Sequence, residues 1–202
     1  MTRNRRGFTL MEMLIAITVL VMLSGVTLFS TLDFVTTADA NKVINDMMQL
    51  KTAMLMWYKE NSSRVVLDGK QYKIKTNGEI QPFKEFIRDH QEEILRYIAN
   101  KDTVVIRNKE DGTNNTGDFT FIDVNDDKTK SVKWYICCNL GSPNLLTKGE
   151  EAPDAKVREK IAGQAKKFNL LGIGQKGDTP NDKNYYTAEK RFVCMLIIQW
   201  NR

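Results

Sequence analysis

The sequence predicts an α+β protein in which one long N-terminal helix precedes a head built on an antiparallel sheet. Residues 13–32 carry no charged side chain. The residues that follow repeat apolar side chains at helical spacing, and the rest of the chain alternates short strand-like segments with turn residues. With 202 residues, the chain is long enough to enclose one hydrophobic core.

Most of the basic excess lies ahead of the uncharged run. The formal net charge is +5, and without Arg3, Arg5 and Arg6 the 30 basic residues become 27 against 25 acidic ones, a net charge of +2. This distribution is typical of a membrane-targeting segment. The remaining chain has no long basic patch with interleaved aromatic residues, so it predicts no specific nucleic-acid partner.

The uncharged run has the length of a membrane-spanning helix, which needs about 20 apolar residues. Arginines precede residues 13–32, while Asp33 and Asp39 come first on the other side, so we expect a cytoplasmic N-terminus and an exported head. An alternative stays open, because residues 37–40 have the small-x-small pattern of a signal-peptidase site. In that case the start would be a cleaved secretory signal and Asn41 the first mature residue.

The helix is expected to continue past the uncharged run to about Glu60. Apolar residues repeat there at 4-3-4-3 spacing, which is typical of one stripe of an amphipathic helix that packs on its own head. The stripe consists of Val43, Met47, Leu50, Met54 and Trp57, widened by Ile44, Met48, Leu55 and Tyr58. Residues 61–63 are expected to end the helix.

The head is predicted to combine strands with two further helices. Strands at 64–67 and 71–74 flank an Asp68-Gly69 turn, and Pro82 opens a helix that carries His90, half-buried, on its apolar face. The remaining predicted elements are strands at 103–107, 118–124, 131–140 and 191–200 and a helix at 153–171 that Gly172 ends. We expect this last helix to be an exposed insertion.

The N-terminal stretch RRGFTLMEML carries a family resemblance. A basic leader, Gly7, Phe8 and Glu12 stand ahead of the uncharged run, with Thr9 and Leu10 also matching. This arrangement resembles the N-terminus of type IV pilins and of the pseudopilins of type II secretion systems. The resemblance implies that a prepilin peptidase cuts after Gly7 and that the new N-terminal residue, Phe8, is N-methylated.

The resemblance also divides the chain and implies a pilin-like fold. Residues 1–7 would be the leader that the peptidase removes, and residues 8–33 the transmembrane and assembly half of the long helix. Residues 34–61 would form the amphipathic half, and residues 62–202 the globular antiparallel-sheet head with inserted helices.

Glu12 is the family's acidic residue, and its position has a physical explanation. An ionisable group inside a membrane is costly and marks a functional site by default. Cleavage creates an α-amino group on Phe8, which is largely cationic at neutral pH. We expect the Phe8 amine of a neighbouring subunit to pair with Glu12 during assembly, which would favour one axial register.

The resemblance predicts a structural subunit rather than an enzyme, with no catalytic residues. The implied partners are other pilin or pseudopilin subunits, the prepilin peptidase, and an assembly ATPase with its membrane platform protein. The chain would cross the inner membrane once, with its head in the periplasm, before joining an extracellular pilus or a periplasmic pseudopilus. A pseudopilin of a type II secretion system, or a tip-located minor pilin that binds a receptor or DNA, stays open as an alternative.

The three cysteines allow more than one pairing. Side-chain alternation along strands 131–140 and 191–200 directs Cys138 and Cys194 toward the core. Many members of the family close their C-terminal region with a disulfide, so the resemblance favours Cys138–Cys194, with Cys137–Cys194 as the alternative. Three reduced cysteines also stay open.

One acidic segment invites a cation site. Asp123, Asn125 and Asp127 have the spacing that starts an EF-hand loop, but Lys128 and Trp134 stand where that loop needs Gly and Glu. The EF-hand interpretation therefore fails. Since some pseudopilins bind Ca²⁺ in a head loop, the three residues remain candidate ligands beside the default interpretation as a solvated acidic turn. No other cofactor is predicted.

Overall fold

The structure is a computed structural model that describes residues 9–63, 65–68, 71–74, 81–98, 118–126, 129–141, 155–175 and 178–201, without the side chains of residues 26–30, 32, 68, 71 and 74. The helices are α1 (Leu10–Asn61), α2 (Phe83–Asp89), α3 (Gln91–Leu95) and α4 (Ala155–Phe168). The strands are β1 (Val65–Asp68), β2 (Gln71–Ile74), β3 (Gln81–Pro82), β4 (Phe119–Asp126), β5 (Ser131–Asn139), β6 (Leu170–Ile173) and β7 (Phe192–Asn201). The predicted α+β class, a long helix followed by antiparallel sheets, is confirmed.

Helix α1 is a single α-helix of 52 residues. At about 1.5 Å per residue it extends for roughly 80 Å. It ends at Asn61 with Ser62 as its C-cap, within the residues 61–63 that were predicted to end it. The Asn61 side chain donates to the carbonyl of Trp57 at 3.0 Å, which occupies one of the last carbonyls of the helix.

The second half of α1 supplies one side of the core. Its fully buried residues are Ala40, Ile44, Met47, Leu50, Ala53, Met54 and Trp57. The predicted stripe is therefore confirmed as a packing face, with one correction: Met48 is 43% exposed and does not belong to it. Apolar residues at helical spacing face the sheet because a helix can bury only one stripe against a single partner.

The main sheet has the strand order β4-β5-β7-β6, and every neighbouring pair is antiparallel. One face packs on α1 around the fully buried ring of Trp134, which contacts Tyr58 and Trp200 edge-on. The other face carries a separate apolar cluster that includes Tyr135, Cys137 and Cys194. Both faces of this sheet are therefore covered over part of its area.

The smaller sheet has the strand order β1-β2-β3 and confirms the predicted hairpin. Its first strand lies one residue later than predicted. Strands β1 and β2 pair antiparallel, and Asp68 pairs with Gln71. Asp68 therefore belongs to the strand and not to the turn. The predicted strand at 103–107 lies outside the described residues.

The helix predicted after Pro82 is interrupted at His90. This residue has φ −105° and ψ 7° and separates α2 from α3. Its ring nitrogen Nδ1 lies 2.7 Å from the Phe86 carbonyl oxygen, and the centroid of its ring lies 5.3 Å from the centroid of the Trp57 ring. The half-buried structural role predicted for His90 is confirmed. In α3, Glu93 accepts a hydrogen bond from Trp57 Nε1 at 3.0 Å, which ties α3 to α1.

Helix α4 corrects two expectations. It buries Val157, Ile161 and Ala165 in the main core, so it is not an exposed insertion. It ends at Phe168, and the next residue, Asn169, adopts φ 51°, a left-handed conformation that Asn tolerates at a helix end. The predicted stop at Gly172 is wrong, because Leu170–Ile173 forms an edge strand that pairs with β7.

Candidate assembly helix and the disulfide of the head

The first half of α1 exposes an apolar surface. Its large apolar residues between Leu10 and Leu23 have exposed fractions between 48% for Val19 and 84% for Leu10. The exposed large apolar residues are Leu10, Met11, Met13, Leu14, Ile15, Ile17, Val19, Leu20, Val21, Met22 and Leu23. Since residues 19–23 are consecutive and point in successive directions 100° apart, this surface surrounds the helix. A helix that is apolar all round needs an environment that buries it.

Between Leu10 and Gly25, the hydroxyl groups of Thr18 and Ser24 are bonded within the helix. Thr18 Oγ1 donates to the Ile15 carbonyl at 2.8 Å, and Ser24 Oγ donates to the Leu20 carbonyl at 2.7 Å. These bonds lower the cost of placing hydroxyl side chains in an apolar environment. Over the part of the chain that the structure describes, no helix meets the length and apolar content of a membrane span.

A capping box begins α1 and engages Glu12. Thr9 is the N-cap, and its Oγ1 accepts a hydrogen bond from the Glu12 backbone N–H at 3.3 Å. In return, Glu12 Oε2 accepts from the Thr9 backbone N–H at 2.9 Å and from its hydroxyl at 2.8 Å. The carboxylate is therefore held over the first turn and directed toward the N-terminus. The spacing Thr9-x-x-Glu12 is the sequence signal of such a box.

The two residues at the predicted cleavage site lie outside the described part of the chain. Gly7 and Phe8 precede Thr9, so the structure gives no distance between the future Phe8 amine and the Glu12 carboxylate. The charge pair between them stays a prediction.

The disulfide joins Cys137 on β5 to Cys194 on β7, two residues that face each other across the strands with a Cα–Cα distance of 4.0 Å. This is the pairing that the sequence kept as the alternative. The favoured pairing of Cys138 with Cys194 is wrong, and Cys138 is the residue left as a buried thiol.

A β-bulge explains the wrong choice. The register passes from Trp134↔Ile198 to Tyr135↔Leu196, which leaves Ile197 as an extra residue on β7. Such an insertion reverses the side-chain alternation on either side of it. Ile198 faces α1, but Cys194 lies on the opposite face of the sheet, with Cys137. Simple alternation counted back from the end of β7 places Cys194 on the wrong side.

The Cys138 thiol is fully buried on the α1 side of the sheet. Burial raises its pKa above the ordinary value of a thiol, and the nearby carboxylates of Asp118 and Asp46 raise it further. A thiol in such surroundings is a poor nucleophile. Cys138 therefore acts as a small apolar core residue.

Asp46 gives the head a testable pH dependence. It lies on α1, is 8% exposed, and burial raises its pKa while Lys42 partly opposes the shift. A carboxyl group whose pKa is raised on folding contributes stability below its unfolded pKa of about 4 and loses it as pH rises through the folded value. We expect Asp46→Asn to gain thermal stability relative to the wild type as pH increases from 3.5 to 7.

Melting temperatures of both proteins across this range would check the effect. Asp39→Asn, which removes an exposed carboxylate from the same helix, serves as the control. A constant difference between wild type and Asp46→Asn, or a difference that shrinks with rising pH, would contradict the assignment.

The cation candidates are only partly described. Asp123 accepts hydrogen bonds from the Tyr72 hydroxyl at 3.1 Å and from the Asn125 amide at 2.7 Å. Asp123 and Asn125 therefore have a structural role in β4. Asp127 lies outside the described residues. Among the residues that are described, no three acidic, histidine or cysteine side chains form a metal-binding group. The cation site stays a prediction.

Together these features define a class of protein: a subunit whose head packs on half of a long helix and whose other helical half must be covered by something else. The family model of the prokaryotic N-terminal methylation motif matches residues 2–28. That motif is the prepilin-type signature of type IV pilins and pseudopilins, so the resemblance drawn from the sequence is confirmed, and the motif indicates a structural subunit rather than an enzyme. Neither a curated protein nor a solved structure matches the chain.

Proposed function

We propose that this chain is the subunit of a type IV pilus-like filament that enters the inner membrane as a prepilin. It is cleaved after Gly7, N-methylated at Phe8, and polymerised through the first half of α1. The observation that carries the proposal is the apolar surface that surrounds α1 at residues 10–23, in a helix whose second half packs one face on the head. The methylation motif over the same residues supports it.

One helical surface can serve two environments in turn. Before assembly, lipid covers residues 8–33, and after assembly the same residues of neighbouring subunits cover one another. The exchange is feasible because lipid tails and packed helices both bury apolar side chains, so association is governed by packing and by the few polar groups present. Between Phe8 and Leu32, Glu12 is the one charged side chain, which gives it a large influence on how subunits align.

The capping box supports the proposed charge pair. It directs the Glu12 carboxylate toward the end of the helix where cleavage creates the Phe8 amine. In a filament, the amine of one subunit meets the carboxylate of the next, and neither charge is left unpaired among apolar side chains. An unpaired buried charge would cost several kcal/mol.

The proposal implies a defined set of partners and locations. The prepilin peptidase cuts and methylates the chain, and an assembly ATPase acts through its membrane platform protein. The head stays in the periplasm until the subunit joins an extracellular pilus or a periplasmic pseudopilus. Major pilins, minor pilins and pseudopilins share this role. The amount of the chain in surface fibres separates them: a major pilin forms the bulk of the fibre, a minor pilin is a trace component, and a pseudopilin is absent from it.

The N-terminus of the mature chain tests the proposal directly. We expect mass spectrometry of the protein from its native host to find a chain that begins at Phe8 with a methylated amine. A Gly7→Leu variant should retain the leader and stay out of filaments. A mature chain that begins at Asn41 would instead establish a cleaved secretory signal and overturn the proposal.

A further inference from the structure

A groove opens on the face of the main sheet that lies away from α1. Its volume is about 340 Å³, and it lies between the ends of β4, β5 and β7 and the segment 179–182. This volume is within the range of small-molecule sites, roughly 300–1,000 Å³. The packing of α1 does not cover it, because α1 lies on the opposite face of the sheet.

One carboxylate, that of Asp182, holds the segment 179–182 over the groove. Asp182 accepts hydrogen bonds from Lys133 Nζ and, at 3.4 Å, from the Tyr135 hydroxyl, both on β5. Pro180, in the same segment, is buried. The groove is therefore formed before any ligand arrives, which lowers the entropy cost of binding.

The charges of the groove disfavour anionic ligands. Among the described residues that line the groove, Lys133 is the single cation, and it is paired with Asp182. The other charged lining residue is Asp126, whose carboxylate accepts from the Thr129 hydroxyl at 2.8 Å. A phosphate or an acidic polymer would meet a paired cation and a carboxylate, so electrostatics oppose it.

The remaining lining suits a neutral ligand rich in hydroxyl groups. Gln199 and Asn201 are exposed and lie opposite Lys133 and Ser131 in the β5–β7 register. Amide side chains both donate and accept, as sugar hydroxyls do. Val124 adds apolar surface beside them for the C–H groups of a sugar ring.

From this combination we propose that the groove binds a neutral oligosaccharide. The inference goes beyond the filament role and does not depend on it, because the groove is formed by the head alone.

The test uses the full chain in detergent micelles on an array of neutral oligosaccharides built from mannose, glucose, galactose and N-acetylglucosamine, with heparin and sialylated glycans beside them. We expect binding to at least one neutral oligosaccharide, which is then titrated by calorimetry. The double variant Gln199→Ala/Asn201→Ala should weaken that binding by about tenfold or more, since each lost hydrogen bond is worth several-fold in affinity.

A matched control is available on α1. Asn45→Ala/Gln49→Ala removes one Asn and one Gln that are exposed outside the groove, and it should leave binding unchanged. Binding restricted to acidic glycans, no binding to any array member, or equal binding by the groove variant would each overturn the inference. The groove variant should still be cleaved and assembled, so loss of filaments in the Gly7 experiment and loss of glycan binding here are separate results.

Discussion

Replacing Glu12 with valine is expected to leave the chain inserted in the inner membrane and to abolish filament assembly. Insertion should persist because the substitution removes a charge from an apolar segment. Assembly should fail because the Phe8 amine of the incoming subunit is left without a partner among apolar side chains. Removing one member of a buried pair costs about 3–5 kcal/mol, more than a hundredfold in association per contact.

A second substitution separates two roles of Glu12, as the cap of α1 and as the charge partner of the Phe8 amine. Glu12→Gln keeps an acceptor for the Thr9 backbone N–H, since Gln also completes a capping box, but it removes the charge. We expect Glu12→Gln to fail in assembly as Glu12→Val does, whereas Thr9→Val, which weakens the cap and keeps the carboxylate, should assemble. Sheared surface fibres and membrane fractions, probed for the chain, would measure both steps. Normal fibres from Glu12→Gln would show that the carboxylate serves only as a cap.

The second large effect is expected from the disulfide. Cys137→Ala removes a link between residues 57 positions apart, which in the chain-entropy model stabilises the fold by about 4 kcal/mol. For a chain of this size that corresponds to a melting temperature lower by roughly 10 °C. The loss arises mainly because the unfolded chain gains conformational freedom.

Cys138→Ala is the matched control, because it removes the neighbouring cysteine and leaves the link intact. Its effect should be limited to the small cavity left by one sulfur atom. Thermal unfolding under non-reducing conditions, together with peptide mapping of the disulfide, would measure both variants. A larger loss in Cys138→Ala than in Cys137→Ala, or a mapped Cys138–Cys194 peptide, would contradict the assigned pairing.

Much of α1 could be predicted because its signals are local. The uncharged run, the stripe that includes Met47, Met54 and Trp57, and the polar stop at Asn61 are each contained within a few helical turns. Helical periodicity depends only on neighbouring residues, so it survives whatever the head does. The exposed Met48 is the exception, since the width of a buried stripe depends on the shape of its partner.

The break at His90 and the strand at Leu170–Ile173 could not be predicted in the same way. The His90 ring packs against Trp57, which lies 33 positions earlier in the sequence. The strand β6 exists because β7 offers it an edge. Both depend on partners distant in the chain.

The sequence by itself determined the long helix, the prepilin-type motif and the residues at which processing is expected, because covalent motifs and helical periodicity are properties of short segments. Only the tertiary structure decided which cysteines pair. One extra residue at Ile197 reverses the alternation along β7 and moves Cys194 to the face of Cys137. A bulge is favoured or not by how two strands fit together across the sheet, so counting along one strand could not reveal it.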